Sequence, residues 1–542
     1  MTESSRAIIN LNGNEEIISN IDFTNAVNIQ YLENIILQKK KFVFSKCIFR
    51  EGIVFLIHLT QTNITELELI FEDCIIEKNK HKHEIQSNIN KQTFLLYFVN
   101  CFIQDLEIDK CSLTNTSVFK CIVLERLVIT NSSIRIISIR NSFCKAFINN
   151  NPKTKLFISY ADDNLYIEDF HMRKVNRQLK EKESLDRIFS YKTNFYITNP
   201  QELIVEFKKS TEKGIKRIKN EDNSLIEAKY HLTNDELKKL DISISIRLDS
   251  NITKSVKISN AIFKDISLKG DSEAIIDIKH TTCNRLFIDK FSSSKLLLYD
   301  FHAIEKDSKL EIKNSDLSNT WFNKVQINSF DIVSFYRTTL ENTKFSATEF
   351  PKSIEALENI HYPLKKESEY FNNQYENYKQ LKIALSNQSD QIQALQMHRK
   401  MYEAIRQSKK LSGQDKIILF LNNISNKHGT SITHSFICFI LVLSGLYLLY
   451  VLALPQAPYS IGWISLESYW TSVCETFNFI LENWKNLYVL ANPTHRLSQL
   501  IENSSVPELS GMNYFISFSS RILMGWCYYQ FVSAFRKFGK KI

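Results

Sequence analysis

Between Phe42 and Cys144 one short phrase recurs: apolar, any residue, polar, small, any residue, apolar. It runs through Phe44–Cys47–Phe49, Phe71–Cys74–Ile76, Phe98–Cys101–Ile103, Ile108–Cys111–Leu113, Val118–Cys121–Val123, Ile129–Ser132–Ile134 and Ile139–Ser142–Cys144. The last five small residues are separated by 10, 10, 11 and 10. The phrase returns at Ile258–Ala261–Phe263 and Ile312–Ser315–Leu317, with looser copies centred on Thr281, Phe291 and Phe301. From Leu317 the apolar spacing tightens to five through Phe322, Ile327 and Ile332, slips, and resumes at Leu340, Phe345 and Phe350. Apolar–polar alternation predicts short strands with one inward face. A short fixed period predicts coils that stack like on like and bury their inner faces only against their neighbours. The repeated Cys, Ser and Thr read as small apolar packing where an inner corner is tight.

The residues at 312–350 resemble the pentapeptide-repeat family of right-handed β-helices. That resemblance implies a non-catalytic surface that recognises a partner. A square four-sided coil and a more irregular β-helix both stay open. The fold class expected is therefore a mainly β solenoid, followed by an α-helical connector and an α-helical membrane domain. Solenoid is expected over 1–150 and 256–355. Residues 151–255 interrupt the period as an irregular α/β insertion or atypical coils, with a charged helix from Val175 to Phe189. The connector occupies 356–430. It reads as a helical hairpin with apolar Tyr375, Tyr378, Leu381 and Leu385 on one arm and Ile392, Leu395, Tyr402 and Ile405 on the other, Ser389 or Asp390 capping the second. Ser412 then precedes a short apolar helix ending near Gly429.

Residues 431–542 carry the membrane signal. Phe436–Leu454 is an uncharged apolar run, about 28 Å long as a helix and close to the hydrocarbon thickness. A second span is expected at 512–535, although it holds Arg521 and Gln530. Basic residues precede the first span and follow the second, while 455–511 is acidic. Both termini are therefore expected in the cytoplasm and that loop outside. Within the loop, Trp463, Leu466, Trp470, Val473, Phe477, Ile480, Trp484 and Leu487 alternate spacings of 3 and 4, which predicts one amphipathic helix over about 461–490. Trp463, Trp470, Phe477 and Trp484 mark it as an interfacial stripe. Arg521, with Ser517 and Tyr528 on its helical face and Gln530 opposite, is the candidate polar contact of a pore or subunit interface. Span, amphipathic helix, span also resembles two-transmembrane channels, but no Thr-Val-Gly-Tyr-Gly filter is present.

The net charge of +9 is moderate for 542 residues and fits an anionic inner leaflet. Lys208, Lys209, Lys213, Lys216, Arg217 and Lys219 form a candidate patch for an anionic partner. No aromatic residues interleave with them, which disfavours nucleic acid. None of the ten cysteines forms a Cys-x-x-Cys pair, and no P-loop, dinucleotide, zinc-protease or serine-hydrolase motif occurs. No catalytic, cofactor or metal residue is therefore assigned. The expected partners are the bilayer, a cytoplasmic protein and further copies of the chain. Three functions follow in order: a membrane-anchored binding or sensing module, an oligomeric channel or pore-forming effector, and a β-helix enzyme.

Overall fold

The computed structural model describes residues 7–10, 15–23, 27–30, 39–49, 53–57, 66–76, 84–87, 93–119, 121–140, 142–151, 154–160, 165–167, 193–207, 216–219, 226–230, 241–249, 251–304, 306–358, 368–408, 411–457, 466–504 and 508–539. The chain divides into two compact units, 1–364 and 365–542.

The first unit is a parallel β-solenoid of about eight turns. Pairing shows what the ten-residue spacing means. Leu95 pairs with Asn115, Ser112 with Ser133, and Ser255 with Ile275, so one coil takes about 20 residues there, whereas Phe44 pairs with Phe71 and Phe71 with Phe98, 27 residues apart. Each 20-residue coil thus holds two copies of the sequence phrase and each 27-residue coil one. One copy adds a strand to a ladder running through 93–99, 112–119 and 133–140. The next adds a strand to a second ladder through 102–109 and 122–130. Beyond Ser308 short bridges join the pattern at Asp316–Thr339 and Gln326–Glu349. A 3-10 turn at Ile327–Ser329 absorbs extra residues there. It explains the slip in the five-residue spacing: Ile332 ends half-buried and Val333 takes the inward position.

Each strand ends at a corner whose geometry is fixed by one residue with positive φ. Lys46, Asp73, Asn100, Lys110, Asn131, Asn260, His280, Lys290, Asp300, Asn314, Lys324, Arg337 and Ala347 all lie at φ between 47° and 56°. They sit directly before the corner position of the repeat, which is held mostly by a small residue and by Phe291, Phe301 and Val325 in three coils. Left-handed backbone is costly for most side chains, so a stacked fold must outweigh it coil by coil. Gly270 takes the same corner at φ 101°; a Cβ there would meet the Leu248 carbonyl oxygen at 2.4 Å.

The small residue does more than fill space. Cys74 Sγ donates to the Phe44 carbonyl at 3.1 Å and Cys101 Sγ to Phe71 at 3.2 Å, one coil away. Cys121 donates to Phe98 at 3.4 Å, Ser142 to Val118 at 3.2 Å and Thr338 to Ile312 at 3.2 Å. Several also accept from the backbone of the neighbouring coil: Cys101 N–H to Cys121 Sγ at 3.3 Å, Cys111 N–H to Ser132 Oγ at 3.0 Å, and Cys121 N–H to Ser142 Oγ at 3.1 Å. Burial pushes the Cys74 and Cys101 thiols well above the ordinary range, which keeps them protonated and able to donate. The corner ladder is therefore a hydrogen-bond device, where the sequence pattern suggested packing alone. Inside it, Phe44, Phe71 and Phe98 stack at 5.2 and 5.1 Å.

The solenoid strands skip in sequence from Tyr160 to Thr193 and from Phe207 to Ile242. Lys155 pairs with Glu202 and Glu202 with Ser255, so the ladder closes across both gaps. Strands 165–167, 226–230 and 216–219 form a separate antiparallel sheet. The helix expected over Val175–Phe189 lies outside the described residues.

The second unit contains eight helices among the described residues: α1 (Ser368–Asn387), α2 (Gln391–Gln407), α3 (Gly413–Asn426), α4 (Ile432–Leu452), α5 (Leu466–Glu482), α6 (Lys485–Ala491), α7 (Leu497–Ser504) and α8 (Gly511–Gly539). Asp390 caps α2, accepting from Gln393 N–H at 3.1 Å, and Ser412 caps α3. The inner face of the α1–α2 hairpin is Tyr378, Leu381, Ala384 and Leu385 against Ala394, Met397, Met401 and Ala404. Ile392, expected inside, is 74% exposed. Small Ala and pliable Met at a helical spacing let two helices approach closely, and they displace the bulkier stripe.

Candidate functional site

α4 is the one described helix both long and apolar enough to cross a membrane. At 21 residues it is about 32 Å long. Ser431 caps its start and its surface is lined by exposed Phe436, Ile437, Ile440, Leu441, Leu448 and Leu449. α8 runs antiparallel to it. Asn513 Nδ2 donates to the Tyr450 carbonyl at 2.8 Å and Ser510 Oγ to Ala453 at 3.0 Å, so the start of α8 satisfies the last carbonyls of α4. Midway, Phe439 meets Tyr528 edge-on at 5.3 Å. At the far end Gln530 accepts from Asn426 and donates to Asn422 Oδ1 at 2.9 Å.

The surface of α8 inverts the pattern of a soluble helix. Its buried side chains include Asn513, Ser517, Ser520 and Gln530, while Phe515, Phe518, Ile522, Tyr529 and Val532 are exposed. These four polar residues lower its mean hydropathy and point into protein, while Arg521 and Arg536 are exposed.

The connecting segment packs back on this pair. Leu490, Leu500 and Leu509 join Leu446, Tyr450, Val451, Ile516 and Met524 in one cluster. Ser504 Oγ lies 3.1 Å from the Tyr450 hydroxyl and accepts from Asn486 Nδ2 at 2.9 Å. His495, only 3% exposed, places Nδ1 2.7 Å from the Asn492 carbonyl and Nε2 3.0 Å from Ser517 Oγ. A carbonyl only accepts, so Nδ1 carries the proton and the neutral ring takes Ser517's hydroxyl at Nε2. Burial holds this imidazole below its ordinary pKa, and Arg521 adds to the effect. His495 reads as a cap or surface residue from sequence; the only hint of its role is Asn492-Pro, which turns the chain back onto α8.

The sequence candidates separate. Ser517 is bonded to His495 and Gln530 to α3, whereas Arg521 and Tyr528 are exposed on α8. The predicted amphipathic helix is broken at Asn483–Trp484 into α5 and α6, with Asn483 Nδ2 donating to Phe479's carbonyl at 3.0 Å. Trp470 lies on α5; Phe477 and Trp484 are exposed; Trp463 is outside the described residues. Of the basic run, Lys216, Arg217 and Lys219 lie on strand 216–219, while Lys208, Lys209 and Lys213 fall outside the described residues.

On one ladder of the solenoid Ile70, Tyr97, Ser117, Ser138, Phe157 and Ile204 share one outward register column, largely apolar, which continues into Lys257 and Asp277. On the other ladder Phe287 sits under Lys269, Arg285 and Lys313 at 5.1, 5.5 and 4.9 Å. Beside it Glu311, although at an outward position, is 2% exposed and pairs with Arg285 at 3.3 Å. Among the described residues no three potential metal ligands gather.

No family model, curated protein or solved structure matches this chain. Both resemblances given above therefore rest on the quoted residues alone.

Proposed function

We propose that this protein is a membrane-anchored β-solenoid that works as a non-enzymatic binding or sensing module at the cytoplasmic face. The observation that carries the reading is the α4–α8 pair, whose large apolar side chains lie exposed while Asn513, Ser517 and Gln530 of α8 are bonded to α4, to His495 and to α3. Lipid is the solvent in which that arrangement is favourable, because every inward amide and hydroxyl is satisfied by protein. On this reading α8 is the second span despite Arg521, whose long side chain reaches along the helix toward polar groups. Both termini then face the cytoplasm and 455–511 lies outside. The partner expected is a cytoplasmic protein engaging the outward columns of the solenoid. No observation favours the pore reading over the anchor, since two of its four residues are already bonded within one chain.

Two measurements test this. The full chain should resist alkaline extraction from membranes, and Cys474, exposed on α5, should react with an impermeant maleimide only from outside the cell. Extraction into the soluble fraction would end the anchor reading, and labelling only from inside would reverse the sidedness. In-cell photocrosslinking from Phe157, set against Arg285 on the other ladder, should give one discrete adduct if a partner docks there.

A further inference from the structure

Helix α3 presents the wrong side to water. Ile417, Phe420, Leu421 and Ile424 are 61%, 50%, 43% and 51% exposed. At 100° per residue they fall within an arc of about 100°, a continuous apolar stripe. On the opposite side of the same helix, Asn422 and Asn426 bond Gln530 of α8. A soluble amphipathic helix buries its apolar stripe and wets its polar edge; α3 does the reverse. The turn that follows fixes its direction. Lys427, His428 and Gly429 have φ of 49°, 59° and 78°, Asn426 Oδ1 accepts from Gly429 N–H at 2.7 Å, and Tyr402 stacks on His428 at 5.2 Å.

We propose that α3 lies in the plane of the inner-leaflet headgroups, its Ile417–Phe420–Leu421–Ile424 face inserted into an anionic bilayer beside α4. Three observations select lipid as the occupant. The stripe belongs to the helix that leads directly into α4, whose own exposed face of Phe436, Ile437, Ile440 and Leu441 begins seven residues after the turn at Gly429, about two helical turns. With 14 residues, about 21 Å, α3 is too short to span the hydrocarbon, which needs about 20 residues, so it can enter lipid only along the interface. Lys416 and Lys427 flank it and Arg536 lies near the end of α8, the complement of anionic headgroups. Four side chains are also far fewer than the roughly 20–30 residues a side of a stable protein interface. The inference rests on the anchor reading and adds a second, in-plane contact to it.

The test places an environment-sensitive fluorescent amino acid at Phe420, or at Asp415 on the far side of α3, in the full chain. The protein is reconstituted in nanodiscs of phosphatidylcholine alone or mixed equally with phosphatidylglycerol, with nitroxide lipids labelled at the headgroup or at the acyl-chain end. The expected result is quenching at Phe420 about threefold stronger by the shallow label than the deep one, stronger with the anionic lipid, and little quenching at Asp415. Absence of quenching at Phe420 in protein that co-elutes with nanodiscs overturns the inference and leaves the anchor standing. Failure to enter nanodiscs overturns the anchor itself. Protection of Phe420 by a second copy, seen as an intermolecular crosslink from that site, also overturns the lipid assignment.

Discussion

Replacing Cys121 separates a hydrogen-bonding corner from a merely small one. Its sulfur receives the Cys101 N–H at 3.3 Å and donates to the Phe98 carbonyl at 3.4 Å, both buried. Cys121→Ala strands that N–H, at about 1–3 kcal/mol, and loses the sulfur's packing, at about 1 kcal/mol. The expected cost is about 2–4 kcal/mol. Cys121→Ser keeps a donor and an acceptor at the same place and should cost about 1 kcal/mol or less. Ser142, one coil on, already makes the equivalent pair of bonds, with Cys121 N–H at 3.1 Å and the Val118 carbonyl at 3.2 Å. If the corner were an apolar plug the order would reverse, because a buried hydroxyl is dearer than a methyl group. Cys144 is the control: burial alone pushes its thiol up to about 12, so Cys144→Ala should cost only about 1 kcal/mol of packing. Calorimetry of the full chain in detergent reads the difference, at about 2–4 °C of melting temperature per kcal/mol. A serine variant less stable than the alanine variant would refute the hydrogen-bond account.

Three further outcomes are expected. Gly270→Ala should cost about 2–4 kcal/mol, from positive-φ strain and the clash with the Leu248 carbonyl, and a neutral melting curve would contradict it. Cys438 and Cys527 each directly precede a ring of the Phe439–Tyr528 contact, so mild oxidation should join them by a disulfide visible in peptide mapping, and its absence would mean that α4 and α8 are not packed as described. His495 has a folded pKa below its unfolded one, so the unfolded chain binds more protons below about pH 6.5, and stability should fall as pH drops through that range. His495→Gln should flatten that dependence in melting curves; an unchanged slope would assign it to other groups.

The solenoid is legible because its period is written in side-chain size and polarity, from Phe44–Cys47 to Ile312–Ser315. What spacing does not reveal is pairing: a ten-residue period fits one coil of ten or half a coil of twenty, and only register decides. Nor does it reveal why the residue before each small one is polar, since Lys46, Asn100 and Asp300 look like ordinary surface residues until their positive φ is known. In the helical unit α4 stands out by its uncharged run, whereas α8, expected as a second span, carries Ser517 and Gln530 and is not among the described helices apolar enough to cross a membrane. Periodicity marks such residues as polar without saying that protein, not solvent, satisfies them. The Trp463–Leu487 spacing continues through Asn483 and gives no warning of the break there. His495 is invisible to pattern reading because its value lies in Ser517, twenty-two residues away.

Because each 20-residue coil is made of two like halves, those stretches can lengthen only in whole pairs if the outer surfaces are to keep their identity. Duplication of a single ten-residue unit would exchange the two ladders for every coil beyond it, moving strands such as those of Phe157 and Ile204 onto the side that now carries Ile148 and Tyr196. A gene carrying this repeat can thus gain or lose segments of about twenty codons in those stretches without moving every later strand to the other side.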